Sequence, residues 1–319
     1  MTLLCYHMKK ATENNMSITV IGTIYLDIKG YPEGVFDPRG RNAGSIIEFH
    51  GGVGRNIAED IGSIGLKPRF ISLADPGGSG DAIIKRLEAH NVDTSLIKRT
   101  DDGMGTWLAI FDDNGDVYAN LSRRPDLSPI LDILKEHSDE VFTGSDGILL
   151  EIDMGTGIAD YVFEQAQAHS VKIYGVISNM NIALEMKNNI LKTDCFICNQ
   201  QEAGIFFDKP LEDLSAEEML AVLPGLVSRS GLKRMIVTMG SKGSVYAETG
   251  GMCGICPPET VEVRDTTGAG DAFFAGTAVA LSLGKTIKEA AGVGTRMAAA
   301  VVAREENVCP PLSIPGISL

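Results

Sequence analysis

The chain has 319 residues, 44% of them hydrophobic, which is ample for a large buried core. A formal net charge of -14 argues against nucleic acid or an anionic membrane surface as the main partner. It does not exclude an anionic nucleotide, because a local backbone site can hold phosphate inside an acidic protein.

Met1 to Asn15 carries two lysines and scattered polar residues without an apolar core or cleavage site. It reads as an extension before the first strand, and 1–16 is set apart on that ground. Ser17 to Gly22 is a short β-branched run, the first strand. Residues 51–65 open on glycines, continue as a helix through Ile57 and Ile61, and close at Gly65. A strand follows from Arg69 to Ala74, and then a helix from Asp81 to His90. The period then changes. Thr106–Phe111 and Val117–Leu121 flank an Asn114-Gly115 pair, a strong hairpin signal. After the hairpin, strands are expected at 147–152, 172–177, 194–198 and 234–239. Helices are expected near 157–168, 200–207, 216–229, 271–283 and 286–303. Such alternation implies an α/β fold with a mainly parallel sheet covered on both faces. The hairpin and the segment 27–49 break it, and both suit a lid. No linker divides the chain, and no apolar run approaches the roughly 20 residues that span a bilayer.

Two C-x-x-C pairs, Cys195/Cys198 and Cys253/Cys256, invite a zinc reading. The first pair lies in a predicted strand, where residues three apart point to opposite faces and cannot share a metal. The second pair reads as loop. A reduced, cytoplasmic setting fits these thiols best.

The most informative string is Asp265-Thr266-Thr267-Gly268-Ala269-Gly270-Asp271, followed at once by an apolar helical run. Small residues let the backbone turn sharply and leave its amides bare. The helix start adds unpaired N–H groups and the positive end of its dipole. The backbone at Gly268, Ala269 and Gly270 is therefore a candidate anion cradle. Asp271 sets a carboxylate at its mouth, which is what phosphoryl transfer to an alcohol needs from a general base. Other candidates fall at the carboxyl ends of predicted strands, where open α/β sheets bind ligands. These are Asp27, Asp153, Asn199, Thr238 and Gly240. No GxxxxGK[ST] loop and no GxGxxG on the first strand occur, so neither a P-loop enzyme nor a dinucleotide oxidoreductase has support.

The Asp265–Asp271 string resembles the C-terminal signature of the ribokinase family, the PfkB carbohydrate kinases. Gly51-Gly52-Val53-Gly54-Arg55-Asn56-Ile57-Ala58 resembles its N-terminal glycine-pair signature. Asn199-Gln200-Gln201-Glu202 resembles its Asn-x-x-Glu motif, and Val237–Gly243 its Thr-x-Gly nucleotide segment. The four stand in the family's order, and the resemblance covers roughly Ser17 to Pro310. It implies a ribokinase-like three-layer sandwich over 17–319 with a small β-lid, in segments near 27–49 and 104–124. It implies ATP-dependent phosphorylation of a hydroxymethyl group on a sugar or nucleoside. Under it, Asn199, Glu202, Thr238, Gly240, Gly243 and Thr267 bind the nucleotide, with Glu202 organising Mg²⁺ through water. Asp27, Gly51, Gly52, Asn56 and Asp153 contact the substrate.

Several of these residues have ordinary readings as well. Asn-x-x-Glu at a strand–helix junction is also a capping box, and both roles can hold together. Glu151, two residues away, competes with Asp153. Arg41, Arg123 and Arg124 lie in the lid segments. Solvated surface charge is their ordinary role, and closure over phosphate or base is the alternative. Trp107 either stacks on a base or packs the lid. The glycine-pair segment has Val53 where several family branches carry Lys, which disfavours a phosphorylated sugar. The segment is similar to that of the pseudouridine kinases, which tilts the expected substrate toward a nucleoside. Potassium is an option only, because the late loop Arg304–Val308 lacks the glycine often found at the family's cation site. A sugar or sugar-phosphate kinase, or a non-catalytic binding protein on the same fold, are the alternatives. The exposed face of the lid suggests a homodimer.

Overall fold

A computed structural model describes residues 16–112 and 116–317. Most of the expected N-terminal extension and the Asn114-Gly115 turn lie outside the described residues.

Nine strands form the central sheet in the order β13-β12-β11-β10-β9-β8-β1-β4-β5. They are β1 (Ile18–Ile21), β4 (Arg69–Ala74), β5 (Ile97–Arg99), β8 (Gly147–Glu151), β9 (Ile173–Val176), β10 (Cys195–Asn199), β11 (Arg234–Thr238), β12 (Ser244–Glu248) and β13 (Cys253–Cys256). All neighbours are parallel except the β11–β12–β13 edge. Strand β1 lies inside the sheet, third from the β5 edge. The chain builds β4 and β5 on one side, then crosses to β8 and builds outward on the other. The β1–β8 border is thus a topological switch point, where the crossovers part and leave a crevice.

Strand residues alternate between two apolar cores, one on each face. Ile21, Leu150 and Cys198 join one, while Val20, Leu149 and Cys195 join the other. Cys195 and Cys198 therefore face opposite ways. The Cys253/Cys256 pair, read as loop, lies on the edge strand β13 instead; its Gly-rich approach hid an antiparallel pairing with β12.

Nine helices of seven residues or more are described: α1 (Val53–Ser63), α2 (Gly78–Ala89), α3 (Ser128–Glu136), α4 (Ser138–Gly144), α5 (Thr156–His169), α6 (Gln200–Phe207), α7 (Ala216–Ser230), α8 (Ala269–Ser282) and α9 (Ile287–Val302). Helices α3 and α4 fall outside the elements expected from sequence, although Pro129 in the first turn of α3 is a start signal. Helix α8 is buried from Ala272 to Leu281. It packs against α1, α9 and the middle of the sheet.

The lid is a separate four-stranded sheet in the order β3-β2-β6-β7, with β2 (Tyr25–Pro32), β3 (Gly44–Gly51), β6 (Gly105–Phe111) and β7 (Val117–Arg123). The segment 27–49 is mostly strand, and Asp27 stands on β2 of the lid rather than on a loop after β1. Registered pairs in a sheet share a face. Asp27 pairs with Phe49 and Trp107, and Trp107 with Ser122, so these four share one face. Leu108 and Leu121 pair on the opposite face.

Candidate active site

The site assembles where β1, β8 and the lid meet the start of α8. Gly268 caps α8 with φ 81°, the left-handed region that glycine tolerates. A Cβ there would also collide with the carbonyl of Asn307. At Gly270 a Cβ would meet nothing within 4 Å, so the cradle is open on its ligand side. Asp265 accepts from the Thr267 N–H at 2.8 Å and shapes the entering turn. Asp271 stands in the first turn of α8 and makes no capping bond there.

Helix α1 brings Asn56 to Asp271. Gly52 ahead of it has φ 99°, and a Cβ would press on the Thr23 carbonyl and the Tyr25 N–H. The Asn56 Nδ2 donates to Asp271 Oδ2 at 2.6 Å. Its Oδ1 is buried and has no protein partner, an acceptor left over in the site. Burial pushes the Asp271 carboxyl up to about 6, against the lowering effect of the Asn56 bond and of Arg55.

Arg55 is fully buried and ties three segments together. Its guanidinium reaches the His50 and Gly51 carbonyls at the end of lid strand β3, the Asn307 side chain, and Glu59 one turn on. Asn307 returns a bond to the His50 carbonyl at 3.1 Å. The late loop, the end of lid strand β3 and the cradle are therefore one packed unit. Asp27 lies against Gly51, where a Cβ would strike its carboxylate. Burial raises its pKa, while Arg55 and Lys29 lower it.

Asn199 and Glu202 form a reciprocal capping box on α6, with bonds of 2.8 Å each way. Capping uses Glu202 Oε2. Burial raises the Glu202 pKa, and the Asp153 charge adds to it. Thr238, Gly240 and Gly243 line a cleft of about 500 Å³ with Ala269, Gly270 and Phe273. The cleft runs from the cradle along the ends of β11 and α9. Its walls include Val261, Val263 and Ala298, as a flat apolar ring with a polyphosphate tail would require. Thr267 lines a smaller cavity with Asp27, His50 and Asn307 instead.

Asp153 sits in a socket of protein donors. Its carboxylate already accepts four hydrogen bonds: from Ser178 N and Oγ at 3.0 and 2.6 Å, Asn179 N at 3.0 Å and Arg124 Nη2 at 2.8 Å. Three of these fall on Oδ2 and one on Oδ1, so Oδ2 is filled while Oδ1 keeps an acceptor position. Arg124, whose ordinary reading is surface charge, is thus anchored at the centre of the site. Arg123 instead pairs with Asp102, and Arg41 sits on the exposed β2–β3 connection. Glu151 at the end of β8 is buried and holds Thr23 through its N–H at 2.8 Å. Burial first, then the Asp153 charge, pushes Glu151 up to about 7. Sequence order gave no sign of the Asp153 socket, since its partners come from two distant segments, Arg124 after β7 and Ser178–Asn179 after β9.

A family model for pfkB family carbohydrate kinases matches residues 15–311. A guanosine-inosine kinase from Exiguobacterium acetylicum is 29% identical over 299 residues, covering 92% of this chain and 97% of its own. A pseudouridine kinase from Escherichia coli is 24% identical over 311 residues, covering 94% and 95%. The solved Arabidopsis thaliana ribokinase, complexed with ribose and ATP, superposes with a TM-score of 0.78 at 19% identity, over 93% of this chain and 96% of that one. The likeness shows a common fold. With the match spanning nearly the whole chain, this protein belongs to the pfkB family of carbohydrate kinases, and it is an ATP-dependent kinase.

Proposed function

We propose that the chain transfers the γ-phosphoryl group of Mg-ATP to the hydroxymethyl group of a nucleoside, with Asp271 as general base. The observation that carries this is the Asp271–Asn56 pair at the mouth of the open cradle. A carboxyl near 6 is ionised at neutral pH yet basic enough to take a hydroxyl proton. The unpartnered Asn56 Oδ1 offers the acceptor a second anchor. In the reaction, the substrate oxygen loses its proton to Asp271 and bonds to phosphorus, and the bond to ADP breaks. The N–H groups at Gly268 and Gly270 hold the charge on the transferring group as fixed dipoles, while the Ala269 N–H closes the turn on the Thr266 carbonyl at 3.2 Å. Glu202 keeps Oε1 beyond its capping bond and would meet Mg²⁺ through water, the ion supplying charge neutralisation at the phosphates.

Val53 supports a nucleoside over a phosphorylated sugar, because no cation stands at that position to meet a second phosphate. The names of the two curated relatives point the same way. Two further parts of the proposal concern the whole molecule. The outer lid face exposes Ile46 (76%), Leu108 (38%) and Leu121 (71%), which suits a second copy of the chain placed lid to lid. Free thiols at Cys195, Cys198, Cys253, Cys256 and Cys309 support a reducing, cytoplasmic setting.

The test is ADP release with Mg-ATP over a panel of nucleosides, ribose, fructose and fructose 6-phosphate, with Asp271→Asn as control. Turnover on a nucleoside, lost in the variant, supports the proposal. Turnover only on fructose 6-phosphate overturns the substrate, and an unchanged Asp271→Asn enzyme overturns the base.

A further inference from the structure

The Arg124–Asp153 pair has no part in the phosphoryl chemistry above, yet it is built with care. Asp153 sits in a socket made by the loop after β9, which donates Ser178 N, Ser178 Oγ and Asn179 N. The carboxylate is 1% exposed, whereas the Arg124 side chain remains 34% open. Nη2 carries the bonds to Asp153 and Ser178. The Tyr25 hydroxyl is a further partner. A rigid guanidinium thus turns the rest of its donor fork outward.

Its position says toward what. Arg124 follows directly on lid strand β7. Continuing the β6–β7 register puts it on the lid face that carries Ser122, Trp107 and Asp27. That is the face whose Asp27 reaches Gly51 and whose Arg124 reaches Asp153, so it faces the body of the protein. Trp107 is a half-buried ring on the same face. An aromatic plane and a fixed donor fork on one face make a site for a flat, polar ring.

The charge says which ring. Arg124 is balanced by Asp153, with Glu151 close by. A neutralised guanidinium offers directed hydrogen bonds rather than net attraction for phosphate. The cradle and nucleotide cleft also lie elsewhere, at α8 and the end of β11. Arginine has donors only. It accommodates a carbonyl oxygen, best beside a ring-nitrogen acceptor, and opposes an amino group.

We propose that Arg124, held by Asp153, reads the base of the acceptor nucleoside and selects one that presents a carbonyl oxygen over one that presents an amino group. This rests on the nucleoside reading given above. The class includes 6-oxopurine nucleosides and uracil-type nucleosides, and it excludes adenosine.

The test measures kcat/KM and, without ATP, calorimetric affinity for inosine, guanosine, pseudouridine and adenosine. Wild type and Arg124→Met are compared, with Arg124→Lys as the conservative variant. Wild type favours the best carbonyl nucleoside over adenosine. In Arg124→Met that ratio falls roughly 10- to 100-fold, the worth of a hydrogen bond from a charged donor. Arg124→Lys restores part of it. A ratio unchanged in Arg124→Met, with all acceptors falling together, overturns the proposal and makes Arg124 a packing or phosphate residue. A wild type that turns over ribose but binds no nucleoside overturns it too, while leaving the kinase chemistry standing. Selective binding of inosine through Arg124 without any turnover sinks the catalytic proposal alone.

Discussion

Replacing Asn56 by Ala removes the 2.6 Å bond to Asp271 without touching the cradle. That bond favours the charged carboxylate, so its loss must raise the Asp271 pKa. A hydrogen bond to a charged group is worth roughly 1.5–3 kcal/mol, which corresponds to a pKa rise of roughly one to two. From a wild-type value of about 6 the variant moves to roughly 7–8. At pH 7 the ionised fraction then falls from about nine-tenths to between roughly a half and a tenth. The assay is kcat/KM against pH, which reports the free enzyme's base. Wild type rises with pH through about 6 and then levels. Asn56→Ala shows its rise later and regains activity by pH 9, apart from a pH-independent loss of the acceptor contact through Oδ1. An Asn56→Ala profile lower everywhere but with the same midpoint would refute the reasoning: Asn56 would then bind substrate without tuning the base.

Gly268→Ala places a side chain at φ 81° and against the Asn307 carbonyl. The strained backbone alone costs about 1–2 kcal/mol, so a lower melting temperature and a weakened ATP response are expected by thermal shift, and an unchanged response would count against the cradle. Leu121→Lys is expected to convert a dimer to a monomer in light scattering; a wild type already monomeric at micromolar concentration removes the lid-to-lid proposal. Glu151, raised to about 7 against an ordinary 4.5, stabilises the fold below the ordinary value and loses that contribution as pH rises through about 7. Glu151→Gln should therefore gain on wild type in urea unfolding between pH 5 and pH 8, by on the order of 3 kcal/mol at most; parallel curves would show that Glu151 ionises freely.

The parts of this molecule that could be read from sequence are those made by neighbours in the chain. The Asp265–Asp271 turn, its helix and the Asn199–Glu202 box are local, and their backbone chemistry follows from residue type alone. Alternating strands and helices declared the parallel sheet, because fully buried strands must be apolar on both faces. The lid was legible as a break in that pattern but not in detail, since β3 is exposed along most of its length and carries no clean alternation. Likewise, β13 was hidden behind Gly250 and Gly251. Contacts across the fold gave no local sign. Arg124 and Asp153 lie 29 residues apart, and Asn56 and Asp271 lie 215 apart. Nothing near Asp153 shows that Ser178 and Asn179 will bond to it. Arg55 reads as a polar residue on a helix, and only the folded chain shows it buried as a staple between lid and late loop.

The most direct test of the central claim is the identity of the product. The protein is incubated with Mg-ATP and its best nucleoside, and the phosphate is located by ³¹P–¹H correlation NMR, in parallel with Asp271→Asn. The account predicts a 5′-monophosphate in stoichiometric balance with ADP, formed about 10²–10⁴ times more slowly by the variant. Phosphate released as the free ion, phosphate on a ring hydroxyl, or equal product from Asp271→Asn would contradict it.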